Sequence, residues 1–127
     1  MLTGYFGNKS SLTQDAKDKV AEFRERKSRY LKEKWVKEAI DIVRKHILLQ
    51  ASMGETSYSF RLDEHISQLS PLSFQVEDLK AEYEIDRKDK DYILTEVVKH
   101  YSDEEMYPEL YVKPSQTYIP MIQFQWE

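Results

Sequence analysis

The chain has 127 residues, with 40% apolar, 33% charged and 13% aromatic side chains, so its length suits one domain and its aromatic content argues against wholesale disorder. It contains no Cys, which removes disulfides, thiolate metal sites and Cys nucleophiles, and only three Gly, which disfavours a turn-rich all-β fold. Net charge is −4, unevenly spread: residues 1–50 carry 12 Lys/Arg against 7 Asp/Glu, and residues 51–127 carry 7 against 16. Parts of +5 and −9 favour charge-directed association, with nucleic acid, an acidic partner or a second copy of the chain.

Residues 1–13 read as an extended arm. Gly4, Gly7 and Asn8 are turn residues, and Leu2, Tyr5 and Phe6 are apolar anchors without periodicity. A single α+β domain is expected over 14–127. Its first element is a long helix, free of Gly and Pro from Asp15 to Gln50, with Ser11 and Gln14 spaced as a capping box and Gly54 as a stop signal. On a helical wheel, Phe23, Tyr30 and Leu31 fall within about 80° of Val20. Val36, Ala39, Ile40, Val43 and Ile47 instead fall on the other side of the wheel, turned from Val20 by roughly 100–200°. One regular helix cannot lay both stripes on one core. Either the helix breaks near Ser28–Trp35, or its first half packs on something other than the main core.

Thr56–Leu62 alternates as a strand, with Tyr58, Phe60 and Leu62 on one side. Asp63 is placed to cap a short helix to about Leu69, ended by Ser70–Pro71. Residues 72–86 fit either a strand or a helix, and the alternation of Leu79, Ala81, Tyr83 and Ile85 favours the strand. The Arg87–Asp91 run reads as a solvated turn. Tyr92, Ile93, Val97, His100 and Tyr101 then mark an amphipathic helix to about Glu105, and Leu110–Val112 and Met121–Trp126 are strand candidates. The expected fold is α+β: a long N-terminal helix that projects, one or two shorter helices, and a small, mostly antiparallel sheet from about 57–62, 79–86, 110–112 and 121–126. The expected core is Val36, Ile40, Val43, Ile47, Tyr58, Phe60, Leu62, Ile93, Val97, Ile122 and Phe124.

No catalytic or cofactor motif is complete. Gly4, Gly7, Lys9 and Ser10 lack the spacing of a phosphate loop and have no strand before them. Glu96 and His100 have ligand spacing but no second His, and a half-buried His100 paired with Glu96 explains them. Asp63, Glu64 and His65 are explained by helix capping and the helix dipole. We therefore expect no enzymatic activity, no cofactor and no metal. The basic residues of the first half, with Arg24, Arg26 and Arg29 as candidate phosphate contacts, do not share one helix face. The aromatic residues are the stronger signal. Tyr5, Phe6, Phe23, Tyr30 and Trp35 lie off the main stripe, and Tyr107, Tyr111, Tyr118, Phe124 and Trp126 crowd the C-terminal part.

One stretch has a recognisable form. A helix end A-x-x-G-x-x-S (Ala51, Gly54, Ser57) leads into the alternating strand and a short helix, and the chain closes on I-x-F-x-W (Ile122, Phe124, Trp126). This resembles small α+β proteins of large DNA viruses and tailed phages, over about residues 36–69 and the last six. The resemblance implies a viral protein, found in the host cytoplasm during infection and in the virion, and carries over no catalytic residue. Together these features lead us to expect a non-enzymatic structural or assembly protein, a minor virion or capsid-associated component. Its partners would be other protein subunits or a second copy, with no membrane contact, bound through Leu2, Tyr5, Phe6, Val20, Phe23, Tyr30 and Leu31. The alternatives are a nucleic-acid-associated viral regulator using the basic half, and a small host-factor inhibitor presenting the acidic half.

Overall fold

The computed structural model describes residues 2–104, 106, 108–112 and 120–127, with side chains throughout these except at 2–10 and 110–112. The fold is α+β, with a long N-terminal helix, a second long helix and small antiparallel sheets.

Helix α1 (Leu2–Tyr30) passes through a π-helical segment (Leu31–Trp35) into α2 (Val36–Ser52). Residues 2–13 are thus helical rather than an extended arm, and Ser11 and Gln14 sit inside the helix instead of capping it. Gln14 reaches forward along the helix, its Nε2 donating to Asp18 Oδ1 at 2.9 Å. The helix does not break where its apolar stripe changes sides. The Val36 N–H donates to the Leu31 carbonyl, an i to i−5 bond, so the segment absorbs one extra residue. One absorbed residue sets the following stripe back by about 100°, which swings Val36, Ala39 and Val43 much closer to the line of Phe23 and Leu31. The mismatch read from the sequence is real, and winding resolves it instead of a kink.

A Schellman motif ends α2. Gly54 adopts φ 83°, its N–H donates to Ala51 O at 3.0 Å, and the Glu55 N–H donates to Gln50 O at 3.0 Å. Strand β1 (Ser57–Arg61) follows, then two 3-10 turns (Leu62–Glu64 and Ile66–Gln68) where a short α-helix was expected. Asp63 makes no cap there; its carboxylate pairs with Lys90 at 2.9 Å.

The ambiguous stretch is a hairpin: β2 (Leu72–Val76) and β3 (Leu79–Tyr83), joined by Glu77–Asp78, with Glu77 at φ 57°. It forms its own two-stranded sheet, so 79–83 does not join the main one. Its register pairs Leu72 with Tyr83, Phe74 with Ala81 and Val76 with Leu79, which makes one face wholly apolar; Ser73–Glu82 and Gln75–Lys80 form the other. The 87–91 run is the first turn of α3 (Arg87–Ser102) rather than a free turn, because Asp86 and Asp89 close a capping box. Helix α3 ends at Ser102, and Glu105 lies outside the described residues. Strands β4 (Glu109–Val112) and β5 (Pro120–Gln125) complete a three-stranded antiparallel sheet in the order β1-β5-β4.

The core lies between α2, α3 and this sheet. Of the expected core, Val36, Val43, Ile47, Phe60, Leu62, Ile93, Val97, Ile122 and Phe124 are buried, while Ile40 and Tyr58 pack half-buried against it. Trp35, Ala39, Leu69, Leu72, Leu94 and Tyr101 are buried as well. Among the described residues, no helix is long and apolar enough to cross a membrane.

Candidate functional site

Three constellations stand out: a polar knot holding α1 down, a histidine pair under β1, and an apolar surface that no described part of the chain covers.

The knot joins α1, β3 and the start of α3. Asp89 is nearly buried, and its carboxylate accepts from Tyr83 OH at 2.7 Å and from the Asp86 N–H at 3.2 Å, while Lys27 Nζ lies 3.1 Å away. Asp86 returns the capping bond, accepting from the Asp89 N–H at 2.9 Å, and also takes Tyr83 OH at 2.9 Å and Lys27 at 3.4 Å. Lys27 lies 4.9 Å from the centre of the Tyr83 ring. Burial works against the Lys27 charge, yet Tyr83 and Asp89 outweigh it and hold the ammonium well above the ordinary lysine value. Burial pushes the Tyr83 phenol up to about 12. The Asp89 N–H, above all, holds the Asp86 carboxyl down at about 2. These groups satisfy one another, so the knot fixes α1 against the body. Its sequence signal was Asp86-x-x-Asp89, a cap pair hidden within a charged run.

The histidine pair is His46 on α2 and His65 between the two 3-10 turns. Their rings lie 4.8 Å apart; His46 stacks on Tyr58 at 5.4 Å, and His65 stacks on Phe60 at 5.3 Å. Gln68 Nε2 lies 3.1 Å from His65 Nδ1. Burial, and then the neighbouring His65, lower the His46 pKa from its ordinary value of 6.5. As pH falls below about 6.5 the unfolded chain therefore takes up this proton before the folded chain does. Stability fully present above that pH should decline as pH falls below it, seen as a falling urea midpoint. A His46→Leu variant should lose most of that slope; an unchanged slope would remove His46 as its source.

Neither group holds the residues expected to bind partners. Among the described residues, no three His, Asp or Glu side chains cluster as metal ligands. His100 is exposed and faces Glu104 at 3.8 Å, not Glu96, whose carboxylate takes Lys99 at 3.3 Å.

The expected partner-binding residues divide. Leu2, Tyr5 and Phe6 lie on the α1 backbone, with side chains outside the described set; Tyr107 and Tyr118, and the Tyr111 side chain, fall outside it too. Phe23, Tyr30 and Leu31 find partners within the chain. Phe23 meets Phe74 at 5.7 Å and Tyr83 at 5.4 Å, Tyr30 meets the Trp35 edge at 5.7 Å, and Leu31 packs on the core. The chain itself thus supplies contacts for all three: the β2–β3 hairpin for Phe23, Trp35 for Tyr30 and the core for Leu31. Val20 stays 48% exposed. Arg24 and Arg29 are exposed, whereas Arg26 is half-buried, 5.1 Å from the Phe74 ring centre and 5.8 Å from that of Tyr30, so the three present no joint phosphate-binding face.

Trp35 is the fixed point of this side. It is 1% exposed, stacks on Tyr83 at 6.2 Å, and donates from Nε1 to Ser70 O at 2.8 Å. One turn on, the Glu38 carboxylate accepts from Ser70 Oγ at 2.7 Å and from the Ser70 N–H at 3.2 Å. Trp35 thus belongs to the core and not to an interface.

Besides Leu48, Leu49 and Met53 at the end of α2, one apolar surface stays exposed among the described residues. On α1 it comprises Leu12 and Val20, with Ala16 between them, all exposed; at the hairpin tip it continues through Val76 (58% exposed) and Leu79 (72% exposed). A groove lined by Lys19, Phe23, Phe74 and Val76 lies between α1 and the hairpin. Leu12 and the hairpin tip were missed from sequence. Leu12 has no large apolar residue at helical spacing beside it, and Val76 and Leu79 form a pair only through the hairpin. Comparison with protein-family models, with curated proteins and with solved structures finds no match to this chain.

Proposed function

We propose that this protein is a non-enzymatic assembly component that docks other protein subunits onto the exposed Ser11–Val20 stretch of α1 and the tip of the β2–β3 hairpin. One observation carries this reading: the apolar stripe of α1 is covered by the chain's own hairpin at Phe23 and runs on uncovered through Val20 and Leu12, while Val76 and Leu79 at the hairpin tip stay uncovered too. A helix exposed on every side from Ser11 to Val20 gains little from its own body and is stabilised when a partner covers its apolar line. The π segment and the polar knot support the same role, since they fix the direction in which α1 leaves the body. A virion as the setting is supported by the resemblance of residues 36–69 and the C-terminal strand to viral proteins.

Photo-crosslinking in the producing cell tests this. A photoreactive side chain at Val20 or Leu79 should form defined protein adducts, and one at the exposed Thr95 on α3 should not. Adducts absent from positions 20 and 79, or equally strong at 95, would sink the proposal.

A further inference from the structure

Leu12, Ala16 and Val20 stand four residues apart on α1, so on a helical wheel they fall within about 80° of one another. The spacing is symmetric about Ala16, so the line presents a large, a small and a large apolar side chain from either end. Resting on the assembly role proposed above, the geometry points to a second copy of this chain as the occupant: two α1 helices pair antiparallel about a two-fold axis at Ala16.

In that arrangement each Leu12 lies across from Val20 of the other copy. The small Ala16 side chains meet at the crossing, where large ones would hold the helices apart. The charges agree. Under such a two-fold, the same flank of each helix faces its own copy, and one flank of the apolar line carries both Asp15 and Lys19, about 40° apart on the wheel. With Ala16 at the axis, Asp15 of one copy lies within about 3 Å, along the helix, of the level of Lys19 of the other. Both contacts occur twice by symmetry. Within one chain the exposed Lys19 pairs with Glu22, at 3.5 Å, a contact easily exchanged.

The hairpin enlarges the contact. The groove that Lys19 and Phe23 line also includes Val76, so it borders the flank of α1 that carries Lys19. An isologous interface must be complementary to itself. The groove rim carries both signs, with Lys19 and Arg26 beside Glu22 and Glu82, which suits a second copy better than a uniformly acidic or basic partner.

The purified full chain tests this by sedimentation equilibrium from micromolar to millimolar concentration. We expect a monomer–dimer equilibrium whose Kd rises more than about tenfold in Val20→Asp, a change at an exposed position that leaves the fold intact by circular dichroism. Asp15→Lys and Lys19→Asp should each weaken the dimer, and the double swap should restore it. Because the natural chain has no Cys, Ala16→Cys reports the axis directly: mild oxidation should give a covalent dimer, and Leu48→Cys, exposed on α2, should not. A chain that stays monomeric throughout overturns the inference, as does a dimer indifferent to Val20→Asp or one that Ala16→Cys fails to crosslink. A monomeric chain whose positions 20 and 79 still crosslink to other proteins in cells would overturn the second copy alone and leave the assembly role standing.

Discussion

Replacing Trp35 with Ala should destabilise the protein by about 3–5 kcal/mol, the range for deleting a large buried aromatic. Trp35 is 1% exposed and joins three elements at one point: Tyr30 before the π segment, Tyr83 of the hairpin, and the Ser70 carbonyl after the 3-10 turns. Truncation leaves a cavity among these rings and an orphaned carbonyl. Since a domain of this size is held by about 5–15 kcal/mol in all, the variant should be close to its folding limit at about 37 °C. Trp35→Phe keeps most of the volume and loses the hydrogen bond, and should cost about 1–2 kcal/mol. Urea unfolding followed by far-ultraviolet circular dichroism measures both. A loss below about 1 kcal/mol for the Ala variant would mean that Trp35 does not organise this side of the core.

The second large effect is expected at Asp89. Its carboxylate serves the capping box, the Tyr83 hydroxyl and the Lys27 ammonium at once, at 3% exposure. Asp89→Ala should cost about 2–4 kcal/mol, because the capping-box bond from the Asp86 N–H, the Tyr83 hydrogen bond and the Lys27 ion pair go together. The figure stays below that for a fully enclosed pair because the Lys27 side chain is 24% exposed and can reach water. Asp89→Asn retains an acceptor for the cap and should cost less than the Ala change. A double-mutant cycle with Lys27→Met isolates the ion pair, and a coupling of at least about 1 kcal/mol is expected. Amide exchange offers a local reading. In Asp89→Ala, protection around Phe23–Tyr30 should fall more than protection in β5, since the knot is what ties α1 to the hairpin. Uniform loss would show that the knot supports the whole fold and not the placement of α1.

Much of this organisation is carried by local patterns. The two stripes of the long helix, the Gly54 stop, the alternation of β1 and β5 and most of the buried residues follow from periods of 3.6 and 2, which depend only on neighbours in the chain. The conflict between the stripes located the π segment to within a few residues, because a phase change in the pattern has to be met by a phase change in the backbone. Local pattern did not determine what faces what. Residues 72–76 became a strand because β3 lies beside them in register, and only that pairing made a six-residue apolar face of two stretches that look weak alone. The same hairpin took Phe23 inside, and thereby moved the open surface outward to Val20, Leu12 and the Val76–Leu79 tip. Asp86 and Asp89 look like solvated charges in a run of charges, yet Lys27, 59 residues from Asp86, turns them into a knot. Periodicity reports which side of an element is apolar; which of those sides ends up covered depends on contacts between residues far apart in sequence, and only the tertiary structure decides them.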